Sequence, residues 1–200
     1  MKYKEYSYIE PEAIDLGLSV KWASFNLGAT SPEDYGYYFA WGETGPKEEY
    51  YSFTYEWCNA YNKLTKYVTD SEDGIVDNRT ELEAADDAAK AHLGGDWQIP
   101  SIDDWKELNS TNCTWEWTTE KGVNGYKVTS YNGNSIFLPA AGYRSGANLI
   151  GAGSNGYYWS RSLDADDTYG WGLGFYSDFW YTNSSFRDNG QSVRAVQRTN

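Results

Sequence analysis

Residues 169–178 read Tyr-Gly-Trp-Gly-Leu-Gly-Phe-Tyr-Ser-Asp, and this alternation limits what the chain can fold into more than any other stretch. Trp171, Leu173, Phe175 and Ser177 share one parity, and Gly172, Gly174, Tyr176 and Asp178 share the other. A strand sends successive side chains to opposite faces, so one parity packs inward while the other is displayed. The alternation lies inside a longer stretch, Tyr157 to Arg194, which the rest of the chain is read as serving. After it, Phe179 to Asn189 mixes Tyr, Trp and Phe with Asp, Asn and Ser. Rigid aromatics beside small adaptable polar groups make a contact-surface composition. The plainer reading is a sheet with a solvated face, followed by a polar loop.

A chain of 200 residues suits one domain with a real core. Residues 1–12 read as a lead-in and 13–200 as the domain, with 157–194 as its candidate binding region. Aromatic residues make up 18% of the chain, so core and surface must both use large flat side chains. A net charge of -13 with no basic patch argues against a nucleic-acid partner and against docking on anionic lipid. No stretch is long and apolar enough for a membrane span. Met1 to Pro11 lacks an apolar centre and does not read as a secretory signal; either the protein acts without one or it has been removed. The compartment stays open.

Ala13 to Phe25 reads as a strand broken at Gly17, and Tyr35 to Trp41 as a short aromatic strand. Lys47 to Asp77 shows no clean period and is expected to be a long ordered loop. Thr80 to Leu93 has helical spacing at Leu82, Ala85, Ala89 and Leu93, with Gly94-Gly95 as its stop. Ser101 and Asp104 form a variant capping box for a second helix with Ile102, Trp105 and Leu108 on its buried face. From Thr114 onward the chain reads as β. Asn124-Gly125 and Asn132-Gly133 are tight-turn signals, and Tyr126–Ser130 should pair with Ser135–Leu138 across the second. Tyr157–Leu163, Gly170–Ser177 and Ser192–Gln197 supply the last strands. The resulting expectation is an α+β domain: two short helices in the first half, then a twisted antiparallel sheet with long loops.

Residues that could carry chemistry are few. His92 is the single histidine and sits at a helix end, so histidine-based metal sites and catalytic triads lack parts. Cys58 and Cys113 form no C-x-x-C pair and have no local base, so buried or bridged thiols are the default. Asp164, Asp166 and Asp167 fail the EF-hand pattern; a weak calcium site there stays open beside a solvated acidic loop. No other cofactor is expected. Gly151 to Gly156 lacks the Lys-Ser/Thr and helix of a phosphate loop. The aromatic surface is the stronger signal. The candidate ligand-binding residues are Arg161, Asp164, Tyr169, Gly172, Tyr176, Asp178, Phe179, Trp180, Tyr181, Asn183, Ser185, Phe186, Asp188 and Asn189.

Several segments together resemble a domain widespread in gut Bacteroidetes. They are Asp15–Ala23 (DLGLSVKWA), Tyr38–Thr44 (YFAWGET), Gly94–Ser101 (GGDWQIPS), Gly122–Val128 (GVNGYKV), Ser135–Arg144 (SIFLPAAGYR), Tyr158–Ser160 (YWS) and Gly190–Arg194 (GQSVR). The resemblance implies a C-type-lectin-like fold, in the branch with formylglycine-generating enzymes and the variable proteins of diversity-generating retroelements. The enzyme branch uses paired cysteines in its C-terminal part, and this chain has none after Cys113. The calcium-dependent sugar lectins carry Glu-Pro-Asn or Gln-Pro-Asp and Trp-Asn-Asp, which are absent. In the variable-protein branch, Asn codons are altered at adenines. Framework residues would be Trp159, Ser160, Trp171, Leu173, Phe175, Ser177, Arg187, Gly190, Ser192, Val193 and Arg194. The replaceable set would include Gly172, Gly174, Tyr176, Asp178, Phe179, Tyr181, Asn183 and Ser184 to Phe186, with Asp188 and Asn189; Trp180 is not reachable from an Asn codon.

The resemblance therefore implies non-catalytic recognition of a protein or glycan ligand on another cell or particle, by a surface displayed on a cell or phage particle. The alternatives are an undiversified glycan-binding surface domain and a degenerate formylglycine-type oxidase or hydrolase.

Overall fold

The strongest alternation in the sequence becomes a long hairpin. In a computed structural model describing residues 6–198, the strands of the first half are β1 Ala13–Ile14, β2 Val20–Ala23, β3 Tyr38–Phe39 and β4 Trp97–Gln98. The helices are α1 Ala88–Leu93 and α2 Ile102–Leu108. Then follow β5 Cys113–Glu120, β6 Val123–Ser130, β7 Ser135–Pro139, β8 Tyr143–Ser145 and β9 Asn148–Ile150. The last strands are β10 Gly156–Leu163, β11 Tyr169–Tyr176, β12 Phe179–Phe186, β13 Gln191–Ser192 and β14 Val196–Arg198.

The strands make four sheets. The largest runs β12-β11-β10-β13-β3; the others run β1-β2-β14-β4, β5-β6-β7 and β8-β9. The chain is 38% strand and 10% helix. It is mostly β, which overturns the expected α+β, C-type-lectin-like arrangement of two helices followed by one sheet. Strands from the first half are built into the same sheets as strands from the end: β2 pairs with β14 and β3 with β13. The large sheet is also not wholly antiparallel, since β10 meets β13 in parallel at Tyr158↔Ser192.

Helix content is small because tertiary contacts override the helical spacing of Thr80 to Leu93. Leu82 donates its amide to Arg161 O and Leu163 donates to Thr80 O, so this stretch runs extended beside β10. The α-helix starts only at Ala88. Asp87 caps it by accepting from the Lys90 amide at 3.0 Å, and the same carboxylate accepts from Ile99 N at 2.8 Å. α2 follows the sequence expectation, with Ser101 and Asp104 in a reciprocal capping box.

Turn chemistry divides in the same way. Asn132-Gly133 sits between β6 and β7, and the register Tyr126↔Leu138 to Thr129↔Ser135 is the expected pairing. Asn124-Gly125 is not a turn. It lies within β6, and Lys121-Gly122 makes the turn with φ of 46° and 87°. Gly125 is needed for close approach instead: a methyl group there would lie 2.3 Å from Leu138 O. The expected strand Ser192–Gln197 is split between β13 and β14, which belong to different sheets.

The large sheet is a middle layer. One side packs Tyr158, Leu173 and Phe175 with Trp105 and Leu108 of α2 and with Tyr126, Val128 and Leu138 of the β5-β6-β7 sheet. A second core joins Phe39, Trp41, Trp97, Trp159 and Val193. A third lies under the 47–77 loop and holds Tyr38, Tyr50, Tyr55, Leu64 and Val68.

Two fully buried arginines tie these parts together. Arg194 donates to Asn26 Oδ1 (2.9 Å), Ala23 O (3.0 Å) and Phe137 O (2.7 Å). Burial lowers its guanidinium to about 10. Arg187 donates to Tyr55 Oη, Tyr67 O, Asp167 O and Lys66 O at 2.8–3.0 Å. Arg194→Lys is expected to destabilise the protein by roughly 3 kcal/mol, because one ammonium cannot span three acceptors set for a fork. Urea denaturation with an unchanged slope checks this.

Buried phenols give a pH signature. Burial pushes Tyr8 and Tyr38 up to about 12 and also raises Tyr50, Tyr55 and Tyr158. In the unfolded chain these phenols ionise near pH ~10. Their stabilisation is complete below that pH and is lost as pH rises toward the folded values. Arg194 works in the opposite sense above its lowered value, as one group against several. Alkaline unfolding is therefore expected from about pH 10 upward, with phenolate absorbance rising together with loss of tertiary circular dichroism.

Candidate functional site

β11 and β12 pair without a register break, from Tyr169↔Phe186 to Tyr176↔Phe179. Ser177-Asp178 is the whole turn. Residues opposite each other share a face. Trp171, Leu173 and Phe175 therefore share one face with Ser184, Thr182 and Trp180; this inner face is core at Leu173, Phe175 and Trp180 and open at Thr182 and Ser184. Gly170, Gly172, Gly174 and Tyr176 share the outer face with Ser185, Asn183, Tyr181 and Phe179. β10 adds Tyr157, opposite Gly174, to the outer face. Phe179 to Asn189, expected as a loop, is thus a strand as far as Phe186.

On the outer face, Gly174 lies under a ring. A methyl group at Gly174 would lie 2.9 Å from the Tyr181 ring. Tyr176 stacks with Tyr181 (6.0 Å between centroids, 17° between planes), and Phe179 with Tyr181 (5.5 Å, 17°). Tyr143 meets Tyr157 edge-on at 5.1 Å. These rings form one row.

Their hydroxyls also meet. Tyr157 Oη and Tyr181 Oη lie 3.3 and 3.4 Å from Tyr176 Oη, with Tyr181 donating. Hydrogen bonds from Tyr157 and Tyr181 pull the Tyr176 phenol below its ordinary value. Burial, then the bond to Tyr176, raises Tyr181 to about 12; burial raises Tyr157 as well. Tyr176 Oη thus lies between the other two hydroxyls and accepts from Tyr181.

Past Phe186 the face opens into a cleft of about 670 Å³. Its walls include Tyr51, Cys58 and Asp73 of the 47–77 loop, Asn148 of β9, and Phe186 and Asp188. Phe186 and Asn189 also line a hollow of about 230 Å³ with Tyr143, Tyr157, Tyr169 and Asn183. The ring row, the hollow and the cleft are continuous through these shared residues. Burial pushes the carboxyl of Asp188 up, and burial followed by nearby Asp166 and Asp167 does the same for Asp73. Burial also raises the Cys58 thiol, which favours the protonated form over a nucleophilic thiolate.

The loop wall is fixed by carboxylates that accept backbone amides. Asp167 accepts from Thr69 N, Thr69 Oγ1 and Asp70 N at 2.5–2.8 Å. Asp77 accepts from Tyr67 N and Val68 N at 3.0 Å. Burial would raise the Asp77 carboxyl, but these amides and Arg79 hold it down at about 2.

Of the residues expected to bind ligand, Tyr169, Tyr176, Asp178, Phe179, Tyr181, Asn183, Ser185, Phe186, Asp188 and Asn189 line or rim this continuous surface. Four lie apart. Arg161 pairs with Glu81 at 2.7 Å and with Gln98 at 2.8 Å, beside a separate pocket. Asp164 sits in the β10–β11 turn and accepts from Asp166 N. Gly172 is buried, and a methyl group there would lie 2.2 Å from Tyr158 O. Trp180 faces inward, packs on the core and lies 5.5 Å from Trp115.

Asp164, Asp166 and Asp167 do not gather into a cation site. Asp166 bonds the amide and hydroxyl of Thr168, and Asp167 is spent on the loop. Among the described residues, no group of three or more His, Cys, Asp or Glu is placed to hold a metal. Cys58 and Cys113 are both free thiols. His92 stacks on Tyr8 at 3.7 Å.

Tyr143, Tyr157, Tyr51 and Asn148 join the surface without having been expected. The hairpin register could have revealed Tyr157, since a ring opposite Gly174 has room to lie over it. Tyr51 comes from the 47–77 loop, and Tyr143 and Asn148 from strands too short to show a period.

A family model described as a domain of unknown function (DUF8237) matches residues 115–196. That span runs from within β5 to the first residue of β14. No curated protein and no solved structure matches the chain.

Gly172→Ala is expected to destabilise by about 2 kcal/mol or more, because backbone must move to admit the methyl group. Ser185→Ala should change stability by less than ~0.5 kcal/mol. Thermal denaturation of both variants checks the contrast.

Proposed function

We propose that this protein is a recognition module. It binds a protein or glycan on another cell or particle through the outer face of β11 and β12 and the adjoining cleft, and it performs no chemistry. The observation that carries the reading is the row Tyr143, Tyr157, Tyr176, Tyr181 and Phe179, standing beside amide and carboxylate groups at a 670 Å³ cleft. Tyr presents large rigid area at low entropic cost, and such rings dominate binding hot spots. The raised Cys58 thiol and the structural use of the Asp164–Asp167 carboxylates favour binding over catalysis.

The reading includes diversification of this surface, as in the variable proteins of retroelements. Inner residues Leu173, Phe175 and Trp180 hold the sheet, while the outer side chains Tyr176, Phe179, Tyr181, Asn183 and Ser185 can change without disturbing the core. Copies of the gene should then differ at Tyr176, Phe179, Tyr181, Asn183 and Ser185, beside a template and a reverse transcriptase. Trp180 and Gly172 should not vary. An undiversified locus removes this part of the proposal and leaves an ordinary glycan- or protein-binding domain.

Binding to arrays of purified glycans and cell-surface proteins tests the core of the reading. The double variant Tyr176→Ala/Tyr181→Ala should lose roughly 30-fold or more in affinity, the loss of about one 2 kcal/mol hot spot, without unfolding. Unchanged affinity for the ligand so found contradicts the proposal.

A further inference from the structure

β12 ends the largest sheet, and β11 is its one strand neighbour. Its eight residues, Phe-Trp-Tyr-Thr-Asn-Ser-Ser-Phe, include no charge, no proline and no glycine. Its register against β11 has no bulge. Natural sheets blunt long edges with charges, prolines or bulges, because a bare edge templates another strand. The edge strand β5 follows that practice, with Glu116 and Glu120. β12 has none of these protections.

The backbone of β12 fixes how a partner would dock. Tyr176 and Phe179 close the two-residue turn, and hydrogen-bonded pairs alternate from there. The amides and carbonyls of Trp180, Thr182 and Ser184 therefore face away from β11. Among the described residues they have no hydrogen-bond partner.

We propose that β12 pairs with β12 of a second copy of this chain, antiparallel, about a two-fold axis normal to the sheet at Thr182. Such an axis keeps like faces together, so only residues of equal parity can lie opposite each other. Centring on Thr182 meets that demand and matches the free backbone groups: Thr182 pairs with Thr182, and Trp180 with Ser184. The other opposed pairs are Tyr181 with Asn183 and Phe179 with Ser185. Each large ring thus faces a small side chain, and Thr-Thr is a favourable cross-strand pair. A net charge of -13 on each copy opposes association in general. The contact strand itself is neutral, and charges beyond about 8 Å are screened at physiological salt.

The dimer would be a continuous ten-stranded sheet with both ring rows on one side, displaying two ligand surfaces together. The proposal stands on the edge geometry and does not depend on what the ring row binds.

Sedimentation velocity of the whole chain, without ligand, tests it. Wild type should form a species of twice the 22.7 kDa chain mass, with the proportion rising with concentration. Thr182→Pro should sediment as a folded monomer, since proline is tolerated where an edge amide faces outward. Thr182→Lys sets two ammonium groups across the axis and should weaken association about tenfold or more at low salt. Near-UV circular dichroism reports folding; if Thr182→Pro misfolds, Thr182→Lys decides. A wild-type monomer at all concentrations overturns the proposal. So does a dimer that survives the folded variants.

Discussion

Two guanidinium groups, buried without a carboxylate partner among the described residues, hold this protein's irregular parts to its sheets. Burying a cation is costly, and the cost is offset here by carbonyl acceptors and ring faces in place of an anion. Arg187 lies 4.9 Å from the Trp41 ring centroid and 5.5 Å from that of Tyr55. It draws in the carbonyls of Lys66 and Tyr67 from one loop and of Asp167 from another. Without it the 47–77 segment, which has no sheet of its own, would lack its main tie to the end of β12. Arg194 does the equivalent for β2, the loop at Asn26 and β7. A fork of five donors can serve several carbonyls at once, which lysine cannot.

This arrangement lets one hairpin meet two demands. The inner faces of β11 and β12 supply Leu173, Phe175 and Trp180 to the core, while the outer faces carry Tyr176, Tyr181 and Phe179, with Tyr181 lying over Gly174. Arg187 begins where β12 ends, so the residue that closes the loop wall directly follows Phe186, which rims the cleft. The surface is thus formed where rigid sheet and anchored loop meet. That placement holds its rings in order, which in the proposed recognition role lowers the entropic cost of binding.

Local patterns were legible in the sequence where local forces decide. The capping box at Ser101 and Asp104 and the turn at Asn132-Gly133 are set by neighbours within a few residues; the parity of β11 holds for Leu173, Phe175 and Tyr176, whereas Gly172 and Gly174, expected on display, are buried. The rest depends on distant partners. Thr80 to Glu83 has helical spacing but gives its backbone to β10. Asn124-Gly125 looks like a turn but is strand, because Gly125 must pass close to Leu138. β12 was hidden by its Asn and Ser residues, which resemble a loop until the β11 register is known. The mostly β fold was missed because β2, β3 and β4 are two to four residues long, too short to show a period. Tyr143 and Asn148 reach the candidate site through a small two-stranded sheet that no periodicity marks.

The central claim is that, apart from the close-packed glycines of β11, parity in the β11–β12 hairpin separates residues that hold the fold from residues free to meet a ligand. A saturation library over residues 169–189, displayed on cells and sorted for protease resistance, measures this directly. Free substitution is expected at Tyr176, Phe179, Tyr181, Asn183 and Ser185. Loss of resistance is expected at Gly172, Leu173, Phe175, Trp180 and Arg187. Equal tolerance on both faces, or intolerance concentrated on the outer one, would contradict it.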